Sequence, residues 1–588
     1  MIFISYLDYY RLVSEAHWTH SRSAKSTVEP TNDSLTADTP STVLPADHDT
    51  AIRILGSRAN ILSAICRLPP EILSNIFIMY AYLFPPHSFG SRRYQWLGWI
   101  KITHVCRHFR YVALGCPGMW TRISFTSHAL TAEMLKRSKK ASLVLNITRD
   151  IDRRHLTRLF ESVKTALQEI PRIEEITMEG IEATSLKTFF TGLDVEAPRL
   201  RSLRVSGIGY GTRFQFSGTF LARGTPRLES LEIRHCYIPW SDWVSTLFSS
   251  RLSILSLKHV CGVTKPTLSQ LLHILQCMPG LKSLELAALS LQDIHLSERV
   301  VPLSRLECLY FDGWILECRS LLDSLYIPSI TDLTLEVKLS RDAAFNTAVS
   351  LTQTLKKSYG ATMQPRALTM ACHTSDFFSL SIRAQDLIPC DNVVSVSGSS
   401  LLEHRLPIAP IDGDVTQARL EEIPDMICRS FQLEYLSCLD LNSVVGISED
   451  SWLNYFARLP SLSRINMTRT KATGLFQAMD PRESDHRSEV PFPVLRILSL
   501  RQVDLGYIHA SHSLQNILAA RAECQVKLQK LLLREVDGLD KKEVERLQCV
   551  VDHTNWDRSV WHMVVDDEAA VIVVDDDDDD AIIVVDDD

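Results

Sequence analysis

A six-residue pattern, with leucine or a close relative at its first, fourth and sixth places, returns eleven times between residues 173 and 533. Before a gap the anchors are Ile173/Ile176/Met178, Leu200/Leu203/Val205, Leu228/Leu231/Ile233, Leu252/Leu255/Leu257, Leu281/Leu284/Leu286, Leu306/Leu309/Phe311 and Ile330/Leu333/Leu335. After it come Leu436/Leu439/Leu441, Leu462/Ile465/Met467, Leu495/Leu498/Leu500 and Leu528/Leu531/Leu533. First anchors lie 27, 28, 24, 29, 25 and 24 residues apart, then 26, 33 and 33. Side chains alternate along a strand, so the fourth and sixth places share one face. The residues between read as amphipathic helices: Thr267 to Met278 sets Leu268, Leu271, Leu272 and Leu275 on one side. Ser451 to Leu459 and Leu514 to Ala522 behave alike, and Pro279-Gly280 closes a helix before the next strand. One strand and one helix cannot bury both apolar faces, but stacked copies can. The expected fold class is therefore α/β, an irregular solenoid with parallel strands inside and helices outside. An ordinary α/β domain also alternates strands and helices; the shared period favours stacking. Residues 340–430 fit the period poorly, although Ala367 to Met370, Phe378 to Ile382 and Val393 to Val396 read as strands.

This period resembles leucine-rich repeats of irregular length, without most of the asparagines of regular ones. The resemblance implies a parallel sheet lining a concave surface. At 588 residues the chain exceeds one compact core. The expected divisions are 1–50, read as mostly disordered, with residues 20–50 rich in Ser, Thr, Pro and Asp; 51–125, a small all-α module; 126–550, the solenoid; and 551–588, a disordered acidic tail.

In the all-α module, Pro69-Pro70 gives extended backbone and then suits a first helical turn, where Glu71 complements the helix dipole. Ile72, Leu73, Ile76, Phe77 and Tyr80 follow as one apolar stripe. Pro85-Pro86 forces a loop, and a second helix carries Trp99, Ile102, Val105 and Phe109. Pro117 and Gly118 break it, and Trp120 anchors the exit. The run Leu68-Pro69-Pro70-Glu71-Ile72-Leu73, then Val105-Cys106-Arg107, then Pro117 and Trp120, resembles an F-box, the module that docks substrate receptors onto Skp-type adaptors of cullin ubiquitin ligases. The resemblance implies adaptor binding through Leu68, Pro69, Glu71, Ile72, Leu73, Ile76, Phe77, Val105, Cys106, Phe109 and Trp120. The chain departs from the family in two places: Phe109 stands where the family usually has Trp, keeping an aromatic anchor, and the 81–97 loop is long, with Ser91-Arg92-Arg93 inside it. The long loop resembles that of fungal F-box proteins, which often pair the module with degenerate repeats. A helical cap on the solenoid without adaptor function is the structural alternative.

The formal charge of -8 conceals a division. Asp566, Asp567, Glu568, Asp575 to Asp580 and Asp586 to Asp588 make twelve acids, so the remaining chain carries -8 + 12 = +4. That mild excess argues against a nucleic-acid partner. In the tail, Val571, Ile572, Val573 and Val574 precede six aspartates; Ile582, Ile583, Val584 and Val585 precede three. β-branched quartets favour extended backbone, and the acids favour a basic partner. The unit resembles a SUMO-interacting motif; the plainer reading is a solvated charge run.

The fourteen cysteines contain no CxxC pair, which argues against a zinc module. Those within apolar patterns, such as Cys277, Cys308 and Cys438, are expected to be buried free thiols of a reducing compartment. The sequence contains no run of 18 apolar residues, so no membrane span is expected. The N-terminus shows no secretory pattern, so the expected location is cytoplasm, nucleus or both. The sequence has no HExxH, Walker loop, GxSxG or dinucleotide fingerprint, and His104 and His108 are read as surface or packed residues. No enzyme and no cofactor are expected. The expected function is a substrate receptor of an SCF-type cullin ubiquitin ligase, with an unidentified protein target on the repeats. Arg204, Arg234 and Lys258 alternate with Val205, Ile233 and Leu257 and so should face away from the core. The alternative is a non-ligase repeat scaffold recruiting SUMO-modified or basic partners through the tail.

Overall fold

The second and third anchors of each unit point to one face of a short strand and are buried there, as Leu231 and Ile233 are. In a computed structural model the chain is described over residues 55–557. Excepted are residues 57–59, 61, 85–97, 126, 149–152, 192–195, 209–212, 217–224, 241–250, 261–264, 295–299, 339–343, 360–362, 375–376, 385–421, 445–446, 483–489 and 506–513. The N-terminal region 1–50, the expected strand at Val393 to Val396, the Ser91-Arg92-Arg93 loop and both tail quartets lie outside the described residues. The chain divides into two units, Met1–Leu68 and Pro69–Asp588. Described parts of the first include a 3-10 turn, Ile65–Arg67.

The second unit opens with helices: α1 (Pro70–Leu83), a 3-10 stretch Gly98–His104, α2 (Arg107–Gly115) and a 3-10 turn Pro117–Trp120. The strands begin with β1 (Arg122–Ile123), β2 (Leu143–Thr148), β3 (Ile173–Ile181), β4 (Ser202–Gly207), β5 (Ser230–Arg234), β6 (Ile254–Lys258) and β7 (Ser283–Ala287). Next are β8 (Val301–Pro302), β9 (Cys308–Trp314), β10 (Leu325–Tyr326), β11 (Asp332–Lys338), β12 (Ala367–Thr374) and β13 (Phe377–Arg383). The last are β14 (Cys438–Asn442), β15 (Arg464–Thr468), β16 (Ile497–Arg501), β17 (Lys530–Arg534) and β18 (His553–Trp556). Sixteen of them form one sheet; β8 and β10 pair separately. Each strand hydrogen-bonds in parallel to the next in sequence, with one departure. β13 lies between β11 and β12 and is antiparallel to both. The hairpin β12–β13 thus interrupts the period where the sequence pattern lapses, and both of its strands fall where apolar runs were expected.

Helices follow many strands and pack in sequence: α3 (His128–Arg137) on α4 (Arg153–Leu167), α7 (Ile315–Asp323) on α8 (Ala344–Ser358), α10 (Glu449–Tyr455) on α11 (Thr473–Met479), and α12 (Leu514–Glu523) on α13 (Lys541–Val550). The remaining helices are α5 (Ala183–Phe190), α6 (Leu268–Gln276) and α9 (Glu422–Cys428). On α6 the expected Leu268, Leu271, Leu272 and Leu275 are all buried. Its N-terminus is capped reciprocally by Thr267 and Gln270.

A left-handed residue follows many of the strands. His235, His259, Ala288, Ser443, Arg469, Gln502 and Glu535 have φ between 50° and 54°, except Arg469 at 49°. This conformation is unfavourable for residues with a Cβ. The cost is offset because each turn continues the ladder: the amide of His235 donates to the Lys258 carbonyl at 3.0 Å, and that of Ser443 to Thr468 at 2.8 Å.

Three expectations change. Ile330, read as a first anchor, is exposed; Thr331 is buried in its place and donates its hydroxyl to the Leu306 carbonyl at 2.7 Å. The sheet begins before residue 126, the expected start of the solenoid, because β1 pairs with β2. It also ends inside the stretch read as tail, with β18. Cys277 and Cys308 are exposed, not buried; Cys277 ends a helix, and Cys308 stands in register with Ser283 and Asp332 on the polar face. Cys438 is buried.

Late in the sheet a cation is buried outright. Arg521 on α12 donates to the carbonyls of Pro491 (2.6 Å) and Phe492 (2.8 Å), and burial pushes its guanidinium down to about 10. Arg521→Leu leaves the buried Pro491 carbonyl unpaired, while the Phe492 carbonyl keeps the Leu495 amide at 3.2 Å, and should cost on the order of 2 kcal/mol. Denaturant unfolding of the two proteins checks this, the variant's transition falling at lower denaturant.

Candidate protein-docking surfaces

Helix α1 is apolar on two adjacent sides. Leu73, Phe77 and Ala81, four apart, form its buried stripe. Phe77 meets Phe109 of α2 with ring centroids 5.0 Å apart. Ile72, Ile76, Met79 and Leu83 form a second stripe that stays in water, Met79 69% exposed. Val105, just before α2, is 62% exposed, and Tyr111 on α2 is also exposed. An amphipathic helix on a soluble unit ordinarily turns polar residues outward. Contiguous exposed apolar side chains of this kind mark a binding surface.

The expected adaptor-binding residues therefore separate. Pro69, Glu71, Ile72, Ile76 and Val105 are exposed. Leu73, Phe77, Phe109 and Trp120 are core. Trp120 donates its indole N–H to the Ala113 carbonyl at 2.9 Å and stacks edge-on against Trp99, with centroids 5.0 Å apart. Cys106 is half-buried and caps α2, its sulfur accepting the Phe109 amide at 3.4 Å. Leu68 is half-buried at the end of the first unit. The single stripe read from the sequence is thus two stripes, because spacing alone does not say which side of an all-apolar helix is covered. Met79, Leu83 and Tyr111 escaped the sequence reading; Met79 and Leu83 continue Ile72 and Ile76 at helical spacing, a signal available from the start.

The second surface is the polar face of the sheet. Register aligns Arg204, Glu232, Ser256, Glu285 and Tyr310 across β4 to β9. Arg204 bridges Glu232 at 2.5 Å and Glu179 at 3.3 Å, and these partners hold its guanidinium above its usual value. Arg234 reaches Glu232 at 3.5 Å. Lys258 bonds Glu285 at 2.9 Å and lies over the Tyr310 ring at 5.0 Å. Glu285 is buried enough to raise its carboxyl, but Lys258 and the Ser256 hydroxyl prevail and hold it below the usual range. The three expected cations do face away from the core, already paired with carboxylates.

At the ends of β5 and β6 the rings of His235 and His259 stack at 4.7 Å, 3° from parallel. Burial lowers both pKa values below 6.5; His259, Arg213 and Arg234 add to this at His235, while Asp312 opposes it at His259. Among the described residues no group of His, Cys, Asp or Glu is placed to hold a metal ion, and no helix is long and apolar enough to cross a membrane. No protein-family model matches the sequence, and no curated protein matches it either.

Two outcomes follow. Leu73→Ala should destabilise the helical segment by about 2–5 kcal/mol, while Ile72→Asp should leave the unfolding transition in place; circular-dichroism unfolding of both variants separates core from surface. The folded chain binds protons at His235 and His259 less readily than the unfolded chain. Stability from these residues is therefore full above pH 6.5 and is lost as pH falls below it, through the lowered folded values. The melting midpoint should drop between about pH 7 and pH 5, and less so in His235→Asn/His259→Asn, whose asparagines tolerate the left-handed backbone.

Proposed function

We propose that the chain is the substrate-receiving subunit of an SCF-type cullin ubiquitin ligase, docking a Skp-type adaptor through its N-terminal helical segment and holding a protein target on the repeat sheet. The observation that carries this reading is the second apolar stripe of α1, left in water directly after the Leu-Pro-Pro-Glu sequence that resembles an F-box. A monomeric protein gains nothing by exposing Ile72, Ile76, Met79 and Leu83 together with Val105; a partner that covers them gains roughly 25 cal/mol for each Å² of apolar surface removed from water. The buried Leu73, Phe77, Phe109 and Trp120 serve the partner indirectly, by setting the orientation of the exposed residues. The ligase chemistry belongs to other subunits, and this chain contributes proximity and orientation.

Co-purification tests the reading. Full-length chain should retain a Skp-type adaptor, and Ile76→Asp/Val105→Asp should lose it at least about tenfold, since two charges would then be buried without partners. The same variant should unfold at the wild-type midpoint. Failure of the wild-type chain to retain the adaptor would overturn the proposal.

A further inference from the structure

The polar face changes character along the sheet. Between β4 and β7 a like-charged register pair, Arg234 opposite Lys258, is flanked by Glu232 and Glu285, each bonded to one of the two cations. Between β16 and β17 the corresponding pair is Arg501 opposite Arg534. Both are exposed, and Glu535 reaches Arg501 at 3.7 Å. Arg534 has no ion-pair partner among the described residues, nor has Arg464 on β15. Lys530 aligns with Ile497 and, through it, with Arg464. Like charges directly opposed on adjacent strands are destabilising. A face that keeps them is suited to an anionic ligand. Ile497 and Leu532, both part-exposed, interleave apolar patches among these cations.

The ligand that fits is attached to the same sheet. β18 runs parallel to β17 and ends at Trp556, opposite Leu533, so the chain leaves the sheet at the end where Arg501 and Arg534 stand. Asp557 there accepts the Glu535 amide at 3.1 Å. Thirty-one residues follow, 558 to 588, with their first acid at Asp566. Nine residues of extended chain span up to roughly 30 Å, whereas β15 lies three strands from β18, about 14 Å at ordinary strand spacing. In the tail, two Val/Ile quartets each run directly into aspartates, which matches apolar positions interleaved with cations. Tethering gives the tail an effective concentration of about millimolar order. We propose that the acidic tail docks on the polar face of β15 to β17 through Arg464, Arg501, Lys530 and Arg534. The contact is electrostatic and weakens with salt.

Zero-length carbodiimide cross-linking of the full chain, read by mass spectrometry on the monomer band, tests this. Carboxylates of 575–580 or 586–588 should couple to Lys530. That link should fall about tenfold at roughly 0.5 M salt and in Arg501→Gln/Arg534→Gln. These arginines are exposed, so the variant should keep the wild-type melting midpoint. Tail links spread equally over helix lysines such as Lys356 and Lys541, a Lys530 link undiminished in the variant, or no tail link in the monomer would each overturn the proposal.

Discussion

The leucine-anchored strands of this sheet carry an apolar face that their neighbours and the adjoining helices cover. The rest of the molecule is organised by that requirement. A unit of roughly 24 to 33 residues is too small to bury its own leucines, so each depends on the unit before and after it. Parallel stacking keeps the anchors in register, Leu203 beside Leu231, then Leu255 and Leu284. The left-handed turn residues follow from the same demand: the chain must leave the strand sharply while its next amide still feeds the ladder, as His259 does toward the Ala287 carbonyl at 2.8 Å. At the first end the strip is continued by β1 and β2; at the other, by the short edge strand β18.

The antiparallel strand β13 divides this continuous sheet into two stretches with different outward chemistry. Before it, carboxylates and cations alternate and neutralise one another, as at Glu179, Arg204 and Glu232. After it, cations accumulate on β15 to β17. The core is indifferent to this change because the two faces of a strand are set by alternate residues. The residues of the polar face can therefore vary without disturbing the leucine ladder.

The stacked α/β character was legible because the anchors are periodic and buried almost throughout. What was not legible was what a period cannot encode. Ile330 satisfies the pattern yet points to water, since Thr331 can bury its hydroxyl against the Leu306 carbonyl. β1, β2 and β18 lack the full leucine signature and take their place by pairing with an existing edge. In the helical segment the apolar residues were legible, but their division into a covered and an uncovered stripe was not. The buried position of Phe77 depends on Phe109, which arrives from another helix.

Hydrogen–deuterium exchange of the full chain, with and without a Skp-type adaptor, bears most directly on the central claim. The account predicts slower exchange over 72–84 and 105–111 when the adaptor is present, and no change in the strands of the sheet. Unchanged exchange along α1, or protection confined to the sheet, would contradict it.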